Sequence, residues 1–290
     1  MRPVTVYLDS RDYSMLSDAE RRTPALERAF DALSPLINEG KVALVWSMAH
    51  VLEMFPTDES VIAAARSRLW VMMRLSSGRS FLDVGNVAKI EAQFHASPMN
   101  LDYALGQWAE ISRLPGYNSN PVAYLDFAAS QGRVAEFRAL LDSQAKVLMD
   151  AIGHVRGLVR TDPRYSNPEK ETAQAYAAML ITLFTGAPGL RLSDQALGCH
   201  CAGKVMRQLV LDSVRTSRTF RPSDAADMWH AYYAPYVDVW SGDRYFANIV
   251  GQACPATTMA IGSPEDVIAT IVSAVNQRFR ERQNRPADMG

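Results

Sequence analysis

The chain has 290 residues, 48% of them hydrophobic and 21% charged, with 5 Trp, 11 Tyr and 10 Phe. That balance excludes a disordered or low-complexity chain and sets the expectation of a soluble globular protein with a well-buried core. Thirty Lys+Arg against 31 Asp+Glu leave a formal charge of −1, so no global positive field exists to hold nucleic acid or an anionic membrane. Any such partner needs a local patch.

The three cysteines, Cys199, Cys201 and Cys254, are odd in number and sparse, which argues against a secreted disulfide scaffold. The opening Met1-Arg2-Pro3 reaches Asp9 without an apolar stretch long enough for a signal peptide. No run approaches the ~18 apolar residues of a membrane-spanning helix. The expectation is a cytoplasmic protein with no membrane partner.

In chain order, Val4 to Leu8 is dense in β-branched and apolar residues and ends in the polar cluster Asp9-Ser10-Arg11-Asp12, a strand that delivers acids to its C-terminal edge. Leu26, Phe30, Leu33 and Ile37 recur at helical spacing before Gly40, and a second strand runs from Val42 to Trp46. This order opens a parallel α/β sheet. Ser47 is read as the cap of a helix that places Glu53 about two turns in. A helix over 60–76 leads to a third strand at Phe81-Leu82-Asp83-Val84. From about Ala96 the strand signal vanishes, and Val134 to Val159 and Tyr176 to Phe184 keep helical spacing between prolines. Sheet signals return at Tyr236 to Trp240, after a helix over 223–233. A weaker strand is expected between Cys254 and Met259, and Ser263-Pro264-Glu265-Asp266 starts a last helix. The expected fold class is a three-layer α/β/α domain with a central, mainly parallel sheet. Its core spans 1–95 and 220–290, with a large α-helical insert over 96–219.

Four acids stand where such a sheet gathers them. Asp9 ends the first strand, Glu53 follows the second, Asp227 lies in the helix before the late strand, and Asp243 follows that strand. Ligands of parallel sheets bind outside the carboxyl ends of the strands. Carboxylates forced together there repel unless a cation sits among them, and hard oxygen donors suit Mg²⁺ or Mn²⁺. Each acid also has a structural reading: Asp9 as a helix N-cap, Glu53 as a solvated helix residue, Asp224 as a first-turn acid competing with Asp227, and Asp243 as a turn residue.

Val6-Tyr7-Leu8-Asp9-Ser10 resembles the opening strand of PIN and PIN-like nuclease domains. Val45-Trp46-Ser47-Met48-Ala49-His50-Val51-Leu52-Glu53 resembles their second segment, and Asp227-Met228-Trp229-His230 with Tyr236 to Arg244 is similar to the third and fourth acidic segments. The match covers roughly residues 1–95 and 220–260. The resemblance implies an endoribonuclease in which Asp9, Glu53, Asp227 and Asp243 hold Mg²⁺ or Mn²⁺, often in a toxin or defence role with an antitoxin or other complex partner. It prefers Asp227 over Asp224, because His230 at i+3 belongs to the matched segment. Ser10-Arg11 stands where many members have Thr-Asn, and Ser241-Gly242 where Thr plus a polar residue precedes the last aspartate. Ser10, Ser241 and His230 retain hydrogen-bonding capacity next to the acids.

Arg11, Arg244 and the run Lys204, Arg207, Arg215, Arg218 and Arg221 form the candidate phosphate-contacting set. RNA is the expected partner, with single-stranded DNA as an alternative substrate and a homo-oligomer allowed. Cys199-His200-Cys201 lacks zinc-site spacing, and the glycines form neither a Walker loop nor a dinucleotide fingerprint. Two other readings stand beside the nuclease: a catalytically silent scaffold whose helical insert binds a protein, and a phosphatase acting on small esters in a closed pocket.

Overall fold

The computed structural model describes residues 2–93, 105–106, 120–161, 173–185, 196–216 and 221–283, apart from 19, 21 and 82. Four strands, β1 (Val4–Tyr7), β2 (Val42–Val45), β5 (Val239–Ser241) and β6 (Thr258–Ala260), form a parallel sheet in the order β2-β1-β5-β6. A short β3 (Ser80–Phe81) pairs antiparallel with β4 (Leu105–Gly106). Ser80 also bridges Trp46 in parallel, so β3 continues the sheet edge beyond β2. The late strand is displaced from its expected place: Ala234–Tyr236 form a 3₁₀ turn and β5 begins only at Val239. Pro235 supplies the fixed φ of that turn, while Asp238 accepts from Thr5 N–H at 2.7 Å and pairs with Arg278 at 2.6 Å.

The helices follow their sequence signals closely. α1 (Ser10–Ser17) follows β1, α2 (Pro24–Asn38) has proline at its first turn and ends before Gly40 at φ +68°, and α3 (Met48–Met54) is capped by Ser47. α4 (Ile62–Ser76) precedes β3, and α5 (Val84–Gln93) starts at a residue expected to end the third strand. The insert contributes α6 (Pro121–Ser130), α7 (Val134–Thr161), α8 (Ala173–Thr185) and α9 (Leu197–Arg215). The carboxyl part adds α10 (Pro222–Tyr232), α11 (Arg244–Ala253) and α12 (Pro264–Gln283). The insert is not purely helical, since β4 lies within it.

β1 and β2 are buried throughout, as expected of a parallel sheet covered by helices. α2 and α12 pack together and against the strands, while α3, α9 and α10 pack with one another or with α11. Core side chains of α7, α8 and α9 join those of the sheet in one continuous hydrophobic cluster, so the insert shares the core. Among the described residues no helix is long and apolar enough to cross a membrane.

Candidate functional site

β1 lies at the point where the sheet order reverses. From β1 the chain crosses to β2 on one side, and later returns to β5 on the other. The carboxyl ends of β1 and β5 therefore flank a topological switch point, the usual ligand crevice of open α/β sheets. Asp9 leaves the end of β1, and Asp243 leaves the end of β5. Glu53 comes from α3 after β2, and Asp227 from the second turn of α10.

Asp227 senses the charge of the other three acids, and Asp9 that of Glu53. Asp227 is pushed up to about 8, first by burial and then by Glu53, Asp9 and Asp243, against the lowering charge of His230. Asp9 is also raised, by burial first, with Glu53 adding to it while His230 and the Arg11 N–H oppose. Asp243 is exposed while Asp9, Glu53 and Asp227 are half-buried, so the cluster has a wet rim and a drier floor. Among the described residues, no three His, Cys, Asp or Glu side chains come together as a ready-made metal cage. The donor type and the repulsion felt at Asp227 suit a hard divalent cation.

Two histidines form the floor. His230 Nε2 lies 2.9 Å from Glu53 Oε2, and its Nδ1 lies 2.7 Å from the Tyr7 hydroxyl. That hydroxyl meets Ser47 Oγ at 2.5 Å. Burial lowers the His230 pKa, yet the charge and hydrogen bond of Glu53, with Asp9 and Asp227, raise it overall. Burial conversely raises Glu53, and the charge and hydrogen bond of His230, helped by Ser10 and His50, bring it below the ordinary value. An imidazolium beneath a carboxylate fits this pair, with both ring N–H groups donating. His50 is fixed in the opposite state: Nε2 donates to Leu8 O at 2.6 Å while Nδ1 accepts from Ser47 N–H at 3.0 Å. Burial, and then the charge of His230, lowers it to about 3, so His50 is neutral.

The acids at the strand ends also hold helices. Asp9 caps α1, accepting from Arg11 N–H at 2.9 Å, and Asp243 caps α11, accepting from Phe246 N–H at 2.8 Å. The N-cap reading of Asp9 is thus geometrically real, and the turn reading of Asp243 becomes a cap. Asp9→Ala should lower stability by about 1 kcal/mol through loss of that cap, whereas Asp9→Asn keeps an equally good capping oxygen and relieves repulsion. Thermal melts of the two variants at neutral pH check this. Equal destabilisation by both would contradict it.

Asp224 is buried and accepts from Arg221 N–H at 2.9 Å, a helix-start role. Ser241 donates to Asp12 Oδ2 at 2.5 Å. Asp12, pushed up to about 6 by burial and then by Asp9, completes the α1 capping box. Gly242 is required by its neighbour: a Cβ there would fall 2.3 Å from the Trp240 ring, which is held by its N–H on His230 O at 3.1 Å. From sequence alone Tyr7 and His50 have no role, and Ser47 has only that of the α3 cap, which it fills. Their signals are the inward face of β1 and the cap and N3 positions of α3.

The basic set divides. Lys204 donates to Ala253 O at 3.1 Å, at the far end of α11, while Tyr245 at its near end donates to Asp212 at 2.7 Å. Ten helical residues, about 15 Å, therefore separate Lys204 from the Asp243 end, which removes it from the carboxylates. Arg207 lies between the two ends on α9. Arg215, one turn past Asp212, Arg221, just before α10, and Arg244, which follows Asp243, are exposed. Arg218 lies outside the described residues. Arg11 donates to Gly262 O at 2.8 Å and reaches Asp12 at 3.9 Å.

Cys199 meets the Tyr232 hydroxyl at 3.3 Å, and Cys201 meets the Cys254 thiol at 2.8 Å. Glu91 is buried. It accepts from the Tyr232 and Tyr236 hydroxyls and from the N–H groups of Gly198, at 2.6 Å, and Cys199, at 3.2 Å.

No protein-family model, curated protein or solved structure matches the chain.

Proposed function

We propose that this protein is a metal-dependent endonuclease of the PIN-like type, acting on RNA. One observation carries the reading: acids from separate segments converge on Asp227, which burial and then the charges of Glu53, Asp9 and Asp243 push up to about 8. A fold maintains such repulsion where a cation is to be bound. Asp9, Glu53, Asp227 and Asp243 are the residues that would hold Mg²⁺ or Mn²⁺. Such an ion, when bound, supplies water activation and charge screening at a scissile phosphate. His230 orients Glu53 from below, and Tyr7 and Ser47 fix the His230 ring in turn. Arg244, next to Asp243, and the exposed Arg215 and Arg221 suit the placement of a phosphate backbone. The choice of RNA, and a toxin or defence role, come from the family resemblance.

A second reading, the silent scaffold, is favoured by the capping duties of Asp9 and Asp243, which explain both residues without chemistry. Cleavage separates the two. Purified protein with Mn²⁺ or Mg²⁺ is expected to cut single-stranded RNA, and chelator, Asp9→Asn and Asp243→Asn should each abolish cutting. Folded protein that cuts neither RNA nor single-stranded DNA with metal present would refute the nuclease and favour a scaffold that binds a protein through its helical insert.

A further inference from the structure

A cavity of about 320 Å³ is walled by Met48 and Leu52 of α3, Asp83, Val147 of α7, and Trp229 and Tyr233 at α10. Leu52 and Trp229 are the chain neighbours of Glu53 and His230, and the wall residue Tyr233 stacks on Tyr7, whose hydroxyl meets His230 at 2.7 Å, so one side chain links the cavity wall to the floor of the carboxylate cluster. Asp83 follows β3 at the same sheet edge from which Asp9 and Asp243 leave β1 and β5. We propose that this cavity receives one nucleobase of the substrate and that Asp83 gives it a preference for guanine. The proposal rests on the nuclease reading for the base's origin in a polynucleotide.

Size and lining select the ligand class. The volume sits at the small end of ligand pockets, enough for one base with part of its sugar and too small for a stacked helix. The walls are apolar apart from a single charged group, Asp83, a lining suited to an unstacked base. Tyr233 is a fixed wall, stacked on Phe81 at 4.7 Å and on Tyr7 at 5.9 Å.

Asp83 supplies the selectivity. Its Oδ1 accepts from Asn86 N–H at 3.1 Å and its other oxygen accepts from the Asn86 side-chain amide, which fixes the carboxylate plane. Each oxygen keeps a further lone pair, and an ionised carboxylate only accepts. Guanine presents two parallel donors, N1–H and N2–H, that match it. Adenine and cytosine set an acceptor beside their amino donor, and uracil sets one N–H between two carbonyls. Sites that hydrogen-bond a donor pair discriminate strongly against bases lacking it.

The test uses the full chain and the four neutral ribonucleosides, without metal, so that the acids repel no phosphate. Calorimetry should find guanosine bound about tenfold more tightly than uridine. Asp83→Asn keeps an oxygen for Asn86 N–H and should erase the preference. Val147→Trp, placed at a position 55% exposed where a larger side chain need not disturb the core, should weaken all four. Equal affinities, no binding, or a preference that survives Asp83→Asn would overturn the proposal. If RNA is cut with metal while no nucleoside binds, the pocket proposal alone fails. If guanosine binds while no polymer is cut, the nuclease reading fails and the pocket remains a nucleoside site.

Discussion

Asp227→Asn is expected to lower metal-dependent cleavage at least about a hundredfold, the scale seen when one group stabilising transition-state charge is lost, while making the metal-free protein more stable at pH 8. The sign follows from linkage. The Asp227 pKa rises from an ordinary 3.8 to about 8 in the folded state, so its contribution to stability is fully present below pH 4 and declines until the folded pKa is passed. Asparagine cannot ionise, so the variant's advantage should be largest at pH 8 to 9 and vanish toward pH 4. Glu53 acts in the opposite sense, and His230 in the same sense as Asp227. Glu53 is lowered, so its contribution is lost as pH falls through its folded pKa. His230 is raised, so its contribution is lost as pH rises through its own. Mn²⁺ should raise the melting temperature of the wild type at pH 8 and raise that of the variant less. An Asp227→Asn protein that melts below wild type at pH 8, or that cuts RNA normally, contradicts this assignment.

The largest stability effect is expected at Glu91. Its carboxylate takes two tyrosine hydroxyls and two backbone N–H groups at the start of α9, a helix end whose Ala196 cap offers no side-chain acceptor. Glu91→Ala removes the acceptor shared by four buried donors, leaving Gly198 N–H only the Tyr236 hydroxyl and the Tyr232 hydroxyl only Cys199 Sγ, each at 3.3 Å, and a loss of about 3 kcal/mol follows from the usual penalty for breaking a buried hydrogen-bonded network. Glu91→Gln keeps one carbonyl oxygen and should fall between that variant and wild type. Urea unfolding with an unchanged slope is the measurement. A loss below about 1 kcal/mol for Glu91→Ala would show that the hub is dispensable.

The parts of this site that could be read from sequence are those written locally. β1, β2 and the cap of α3 carry their own periodicity and punctuation, so Asp9 and Glu53 were placed at the correct strand ends, and Asp227 and Asp243 followed from segment order. The misses come from contacts distant in sequence. Tyr236 and Val237 look like strand because they are apolar, yet Pro235 bends the chain and Asp238 is held by Thr5 and Arg278. Asp83 and Val84 look like the end of a strand, but Asp83 accepts from Asn86 N–H and α5 begins at Val84, while Leu82 lies outside the described residues. Lys204 and Arg215 look like one basic run in sequence, but α9 separates them along its length. Nothing near Glu91 announces tyrosines 141 and 145 residues away. Tyr7 gave no sign that its hydroxyl joins Ser47 to His230.

The central claim is that the acids at the β1/β5 edge hold a divalent cation. Calorimetric titration of the metal-free chain with Mn²⁺ at pH 7.5 tests it most directly, with Asp227→Asn beside the wild type and Asp224→Asn as the structural control. The account predicts saturable Mn²⁺ binding that weakens at least tenfold in Asp227→Asn and is retained in Asp224→Asn, since that acid is engaged at a helix start. A folded wild type that takes up no Mn²⁺ at millimolar concentration, or one that binds it equally well without Asp227, would contradict the account.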